Sequence, residues 1–350
     1  MSGDINIQTL NFISQLLHPS QDVDSCYFPA SEIFWDNLVK LASGHLVLPA
    51  IYSAIKRKKL EQYIPKDLLL YLKQISNLNR KNNEGILKQI AFLSEIFKNH
   101  QIEHVFLKGS ALLITRPYDT INDRMVGDID ILVLERDIYR AQDILINEGF
   151  NDVDREFKFS RGLYLNRHLN RIAHPNYIAA VELHRNLLKK NNILTSFEVL
   201  ESKTKSKEEY WIPSNYYLWQ HAISNWLYND NGLSSNQLSF RTVLDVLYLQ
   251  PKNINKKLLT SKPYIKKFYS LLNFHYDEYK VFYPKKKLLY KFQLRFSFFN
   301  SLYAFMTKLI GFGKFGFLRM NLFFESARYR KRVLNKPIDF LKQILRVWSK

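Results

Sequence analysis

The chain has 350 residues, 46% hydrophobic and 15% aromatic, enough for a sizeable buried core and too apolar for a disordered chain. A single cysteine, Cys26, excludes an intrachain disulfide framework and a cysteine-based structural zinc site. The formal charge of +19 is uneven: residues 251–350 hold 23 Lys and Arg against Asp277, Glu278, Glu325 and Asp339, while the first 250 residues balance 28 basic with 28 acidic side chains. The opening residues lack a basic segment followed by an apolar one, and no window offers about twenty apolar residues free of charge. The expectation is a cytoplasmic chain.

Residues 1–99 read as a helical region. Apolar positions recur at helical spacing in Phe34, Leu38 and Leu41, and again in Ile86, Ile90, Leu93, Ile96 and Phe97. Helices and strands alternate over 100–200. Residues 104–107 form a short apolar run ahead of Lys108-Gly109-Ser110, and 111–115 read as a helix start. Residues 128–134, Asp-Ile-Asp-Ile-Leu-Val-Leu, are a strong strand, and 138–147 a helix. Weaker strands are expected near 157–160, 167–173 and 177–183. Residues 201–250 return to helix, clearest at 216–227 and 240–249, and pack on the core. Residues 251–350 form a basic, aromatic-rich helical region. The fold class is α+β, one small mixed sheet between helical N- and C-terminal regions.

Gly109-Ser110, between a strand and a helix, offers free backbone N–H groups and a hydroxyl to a phosphate, although any strand-to-helix turn can contain this pair. Asp128 and Asp130 share one strand face, with Ile129, Ile131 and Val133 on the other. They are either two exposed acids at a solvated strand end or a pair whose repulsion is relieved by a hard divalent cation such as Mg²⁺. Glu182, in a further predicted strand, supplies a third carboxylate. Three acids from two strands suit a pair of metal ions that activate one oxygen and stabilise another; Glu182 otherwise serves as a base or as a salt-bridged strand residue.

The run Leu107 to Leu113, then Tyr118, Arg124 and Gly127 to Val133, resembles the bacterial uncharacterised nucleotidyltransferase family of the DNA polymerase β-like superfamily. That superfamily shows a Gly-Ser turn, an Asp-x-Asp strand and a later carboxylate strand, in this order. Glu182-Leu183-His184 is similar to the family's acidic-Leu-His element, and Leu218 to His221 with Arg241 and Asp245 resemble its helical pair. The resemblance implies a polymerase β-like core in which Gly109 and Ser110 hold a nucleoside triphosphate, ATP by default. Asp128 and Asp130 would bind two Mg²⁺ ions, and Glu182 would complete the metal site. A nucleoside monophosphate would pass to an unidentified hydroxyl acceptor on a protein, an RNA or a small molecule, releasing pyrophosphate.

Lys108 and Arg124 flank these motifs as phosphate partners; Lys108 is otherwise a surface or packing residue, and Arg124 a neutraliser of Asp128. His184 shares the face of Glu182 and either orients it, touches the nucleotide or is a hydrogen-bonded structural histidine. His221, Arg241 and Asp245 either line the cleft or, for the last two, form an i,i+4 helix-surface ion pair. The basic third alternates cations with aromatics, including nine Phe between 296 and 324. It suits an anionic membrane at the inner face, a nucleic acid or an ordinary helical core. The competing class is therefore a non-catalytic protein of the same fold that docks through residues 251–350.

Overall fold

In the computed structural model the described residues are 2–21, 23, 28, 31–153, 167–188, 193–230, 232, 237–252, 254–276, 278–279 and a few isolated positions beyond 305. The strand expected at 157–160, Cys26 and most of the basic aromatic region lie outside them. Helices α1 (Ser2–Leu17), α2 (Glu32–Gly44), α3 (Leu48–Arg57) and the long α4 (Lys66–Asn99) precede the sheet. The sheet region then holds β1 (His104–Leu107), α5 (Lys108–Thr115), β2 (Asp128–Val133), α6 (Ile138–Asn147), β3 (Asn151–Asp152), β4 (Ile172–Ala173) and β5 (Ala180–His184). A short helix α7 (Ser196–Glu201) and the ribbon β6 (Thr204–Lys205) and β7 (Trp211–Ile212) follow. The described chain continues through α8 (Asn215–Tyr228), α9 (Phe240–Leu249), α10 (Lys256–Thr260) and α11 (Pro263–Leu272).

The main sheet has the order β1-β2-β5-β4-β3. β2 runs antiparallel to β1 and parallel to β5; the remaining pairs are antiparallel. The chain is thus α+β with a small mixed sheet. One face of the sheet's centre is apolar: Ile129, Ile131 and Val133 of β2 and Val181 and Leu183 of β5 are buried in the main core. Burying such side chains stabilises the fold by roughly 1.5–3 kcal/mol each. On the opposite face Leu132 packs with Val105, Leu107, Leu187 and Leu188 in a second cluster, and the carboxylates lie further along the same face.

Helix α4 spans about 50 Å at 1.5 Å per residue and buries a continuous stripe that begins and ends apolar but passes through Ser76, Asn79 and Asn83. These polar residues meet the segment between α5 and β2. Asn79 Nδ2 donates to the carbonyls of Asn122 and Arg124, Asn82 Nδ2 to Val126, and Asn83 Nδ2 to Ile121 and Arg124. The segment has little regular structure, so side-chain amides satisfy carbonyls that a strand partner would otherwise take.

The first part of the basic aromatic region is ordinary core. Tyr264, Phe268, Tyr269, Tyr276 and Tyr279 are buried. Trp219 Nε1 on α8 donates to Tyr269 Oη at 3.2 Å, and Tyr276 Oη donates to the Ser14 carbonyl of α1. Among the described residues no helix is long and apolar enough to cross a membrane.

Candidate active site

Parallel pairing of β2 with β5 sets Asp130 opposite Glu182, with Asp128 opposite Ala180 and Leu132 opposite His184. Because side chains alternate along a strand, Asp128, Asp130, Glu182 and His184 share one face. Donor atoms of Asp130, Glu182 and His184 lie within 4.8 Å of one another. His184 is completely buried, and its Nε2 is 2.8 Å from Asp130 Oδ1 and 3.3 Å from Glu182 Oε2. Two carboxylates around one ring nitrogen require that nitrogen to carry the proton and donate. His168 Nε2 approaches Glu182 Oε2 from a neighbouring loop at 3.9 Å.

The three acids are not equivalent. Burial pushes the Asp130 carboxyl up, but Lys108 Nζ at 2.5 Å and the His184 hydrogen bond outweigh it and hold the group well below the usual carboxylate range. Glu182 is likewise held down, its burial outweighed chiefly by His184. Asp128 moves the other way: burial first, then the like charges of Glu182 and Asp130, raise it. No hydrogen bond or ion pair reaches Asp128 among the described residues. Negative charge therefore gathers at Asp128, where Arg171 and Lys108 act only through space and do not outweigh burial and the like charges. Oxygen donors carrying excess charge fit a hard divalent cation, to which Asp128, Asp130 and Glu182 would supply the ligands.

Lys108 reaches Asp130 through an unusual backbone. Its φ is +48°, in the left-handed region that costs a lysine roughly 1–2 kcal/mol. The sharp turn from β1 into α5 is made at Lys108 itself, one residue before the glycine, so α5 begins earlier than the helix read at 111–115. Gly109 has a separate reason to be glycine: a Cβ there would lie 3.0 Å from both γ-carbons of Val126. Ser110 is buried, and its hydroxyl donates to the Leu107 carbonyl at 2.6 Å, with Asp130 O at 3.3 Å, tying α5 to β1 and β2.

These elements border a pocket of about 490 Å³. Of the residues singled out from the sequence, all but Ser110 and His184 line it: Lys108, Gly109, Arg124, Asp128, Asp130 and Glu182 on the sheet side, and His221, Arg241 and Asp245 on α8 and α9. Two of these have other partners than the sequence suggests. Arg124 does not neutralise Asp128; its Nε donates to Asp245 Oδ1 at 2.8 Å, and Tyr118 Oη donates to the same oxygen at 2.6 Å. Asp245 is therefore a buried tie between α9 and the α5–β2 segment, and the expected surface pair with Arg241 is absent. Arg124 is tied at both ends, since Asn79 and Asn83 hold its carbonyl. His221 is buried, and burial, with Lys108 next, lowers its pKa to about 3, so the ring is neutral near pH 7.

Sequence reasoning passed over the asparagines of α4, Arg167 and His168. The asparagines left a signal, because the stripe of α4 turns polar where helical spacing calls for apolar residues. Arg167 lines the pocket and donates to Asn225 Oδ1 at 3.5 Å, but nothing in its local pattern marks it.

The sequence pattern described as an uncharacterised nucleotidyltransferase family matches residues 31–225. The match contains every strand of both sheets and the pocket face of α8, and ends before Arg241 and Asp245. No curated protein matches the chain.

Proposed function

The chain belongs to the uncharacterised nucleotidyltransferase family, and from that premise we propose that it transfers a nucleoside monophosphate from a nucleoside triphosphate, ATP by default, to a hydroxyl acceptor. The observation that carries the reading is the in-register placing of Asp130 against Glu182, with Asp128 beside them, at a pocket that also presents Lys108 and Gly109. Mg²⁺ held by Asp128, Asp130 and Glu182, two ions in the full complex, would supply charge neutralisation at the triphosphate and activate the acceptor oxygen. The acceptor oxygen bonds to the α-phosphorus, the bond from that phosphorus to the α–β bridging oxygen breaks, and pyrophosphate leaves with the electron pair. The hydroxyl proton passes to the Glu182 carboxylate, which His184 keeps ionised and oriented. Lys108 exchanges Asp130 for a phosphate oxygen, and the backbone at Gly109 lets the triphosphate approach α5. Such a reaction depends mainly on positioning and electrostatics.

The test is incubation of the protein with each α-labelled nucleoside triphosphate, magnesium and a cell lysate. Label is expected on a macromolecule or metabolite with the wild type and at least about a hundredfold less with Asp130→Asn, the scale of losing one transition-state electrostatic group. No label from any of the four nucleotides, or equal label from the variant, overturns the assignment.

A further inference from the structure

Arg241 is a pocket cation with no hydrogen-bonded or ion-paired partner among the described residues. Asp245, one turn along α9, gives the same Oδ1 to Arg124 and to Tyr118. No hydrogen bond or ion pair reaches Arg241 among the described residues, yet its side chain is half-buried in the pocket wall. A guanidinium in that position has lost part of its hydration and meets Asp245, Asp230 and Asp130 only through space, without a direct ion pair, and an anionic ligand would supply the contact.

Three further observations point the same way. Arg241 and Thr242, both lining the pocket, belong to the first turn of α9, a ten-residue helix. Its Thr242 N–H is capped by Ser239 Oγ and its Phe240 N–H donates to His45 Nδ1, so the turn contributes its side chains and its positive dipole rather than those two N–H groups. His221 on the adjacent wall is buried, neutral, and has an Nε2 without a hydrogen-bond partner. Arg167, which also lines the pocket, brings a second guanidinium, whose side-chain hydrogen bond among the described residues is the 3.5 Å contact to Asn225 Oδ1. Carboxylates line both walls, Asp128, Asp130 and Glu182 on the sheet side and Asp230 and Asp245 on the helical side. Asp245 is committed to Arg124 and Tyr118 and Asp230 accepts from Asn225, which leaves Arg241 on that wall without a direct ion pair among the described residues.

We infer that Arg241, with the first turn of α9 and Arg167, forms a subsite for the β- and γ-phosphates of the nucleotide, the part that departs as pyrophosphate. This deepens the nucleotidyl-transfer reading and rests on it for the identity of the ligand. The same chemistry would take a phosphate carried by the acceptor, and the experiment separates the two sources.

The experiment is calorimetry on the full chain, with magnesium in every arm, using α,β-methylene-ATP, AMP and inorganic pyrophosphate as probes. Arg241→Gln is expected to weaken α,β-methylene-ATP by at least about tenfold, the loss of one charge-assisted hydrogen bond, while leaving AMP unchanged. Arg241→Lys recovers part of the loss. With the unaltered protein, pyrophosphate displaces α,β-methylene-ATP but not AMP, an arm that depends on no variant. Equal weakening of AMP and the analogue, unchanged binding of both, or failure of pyrophosphate to compete overturns the subsite; unchanged binding of both assigns the arginine to the acceptor side. Loss of the subsite with label transfer intact leaves the reaction standing. Arg241-dependent binding without label transfer leaves the subsite and removes the reaction.

Discussion

Replacing Asp245 with alanine separates the observed pairing from the one that sequence spacing suggests. Arg124 and Asp245 side chains are only 9% and 8% exposed, so solvent screens their attraction weakly. Removing the carboxylate strands a buried guanidinium, which costs about 3–5 kcal/mol, and also leaves the Tyr118 hydroxyl without its acceptor. Tyr118→Phe removes one donor while Arg124 keeps its bond, for about 1 kcal/mol. Arg241→Ala breaks no pair and is expected to cost less than about 0.5 kcal/mol. The three variants and wild type are compared by urea denaturation followed by circular dichroism. If Asp245→Ala costs under about 1 kcal/mol, or Arg241→Ala costs as much as Asp245→Ala and the double variant no more than either, the i,i+4 pair is the real one. The argument for an unpaired Arg241 then fails with it.

Buried histidines set a pH dependence. Burial lowers the pKa of His45 to about 4 and of His221 and His275 to about 3, whereas each titrates near 6.5 in the unfolded chain. Below that value the unfolded chain takes up protons that the fold refuses, so this stability is complete above about pH 6.5 and is lost as pH falls toward the folded values. The loss approaches about 1.4 kcal/mol per histidine per pH unit, and Tm should drop between pH 7.5 and 5.5; a flat profile contradicts it. Asn83→Ala removes one amide that serves the carbonyls of Ile121 and Arg124, at about 1–3 kcal/mol. Hydrogen exchange in residues 116–127 should accelerate, and unchanged exchange there would mean that the asparagines do not hold the segment.

Much of the site was legible because strand chemistry is local. The alternation Asp-Ile-Asp-Ile fixes which side chains share a face, and residues 104–107, 128–133 and 240–249 fold as their patterns predict. The partnership of Asp130 with Glu182 is long-range; the two strand patterns suggested grouping the acids and the family resemblance supported it, but no spacing rule could set the β2–β5 register that pairs them. Partner choice was the least legible layer. Asp245 has a cation four residues before it on its own helix, yet it pairs with Arg124, 121 positions earlier, because tertiary packing buries both and the surface pair is worth only a few tenths of a kcal/mol. His184 reads from sequence either as a residue orienting Glu182 or as a structural histidine, and it proves to be a buried contact that joins two carboxylates.

The interior position of β2, between β1 and β5, has a consequence for synthesis. Its first neighbour, β1, leaves the ribosome ahead of it, but the second, β5, ends 54 residues after Asp130. Until that later stretch emerges, the nascent sheet has an open backbone edge beside two aspartates with only Lys108 to offset them. Charge on that rim discourages stray strand addition by other chains. The carboxylates that line the pocket of the finished protein thus place charge on the exposed edge of its unfinished sheet.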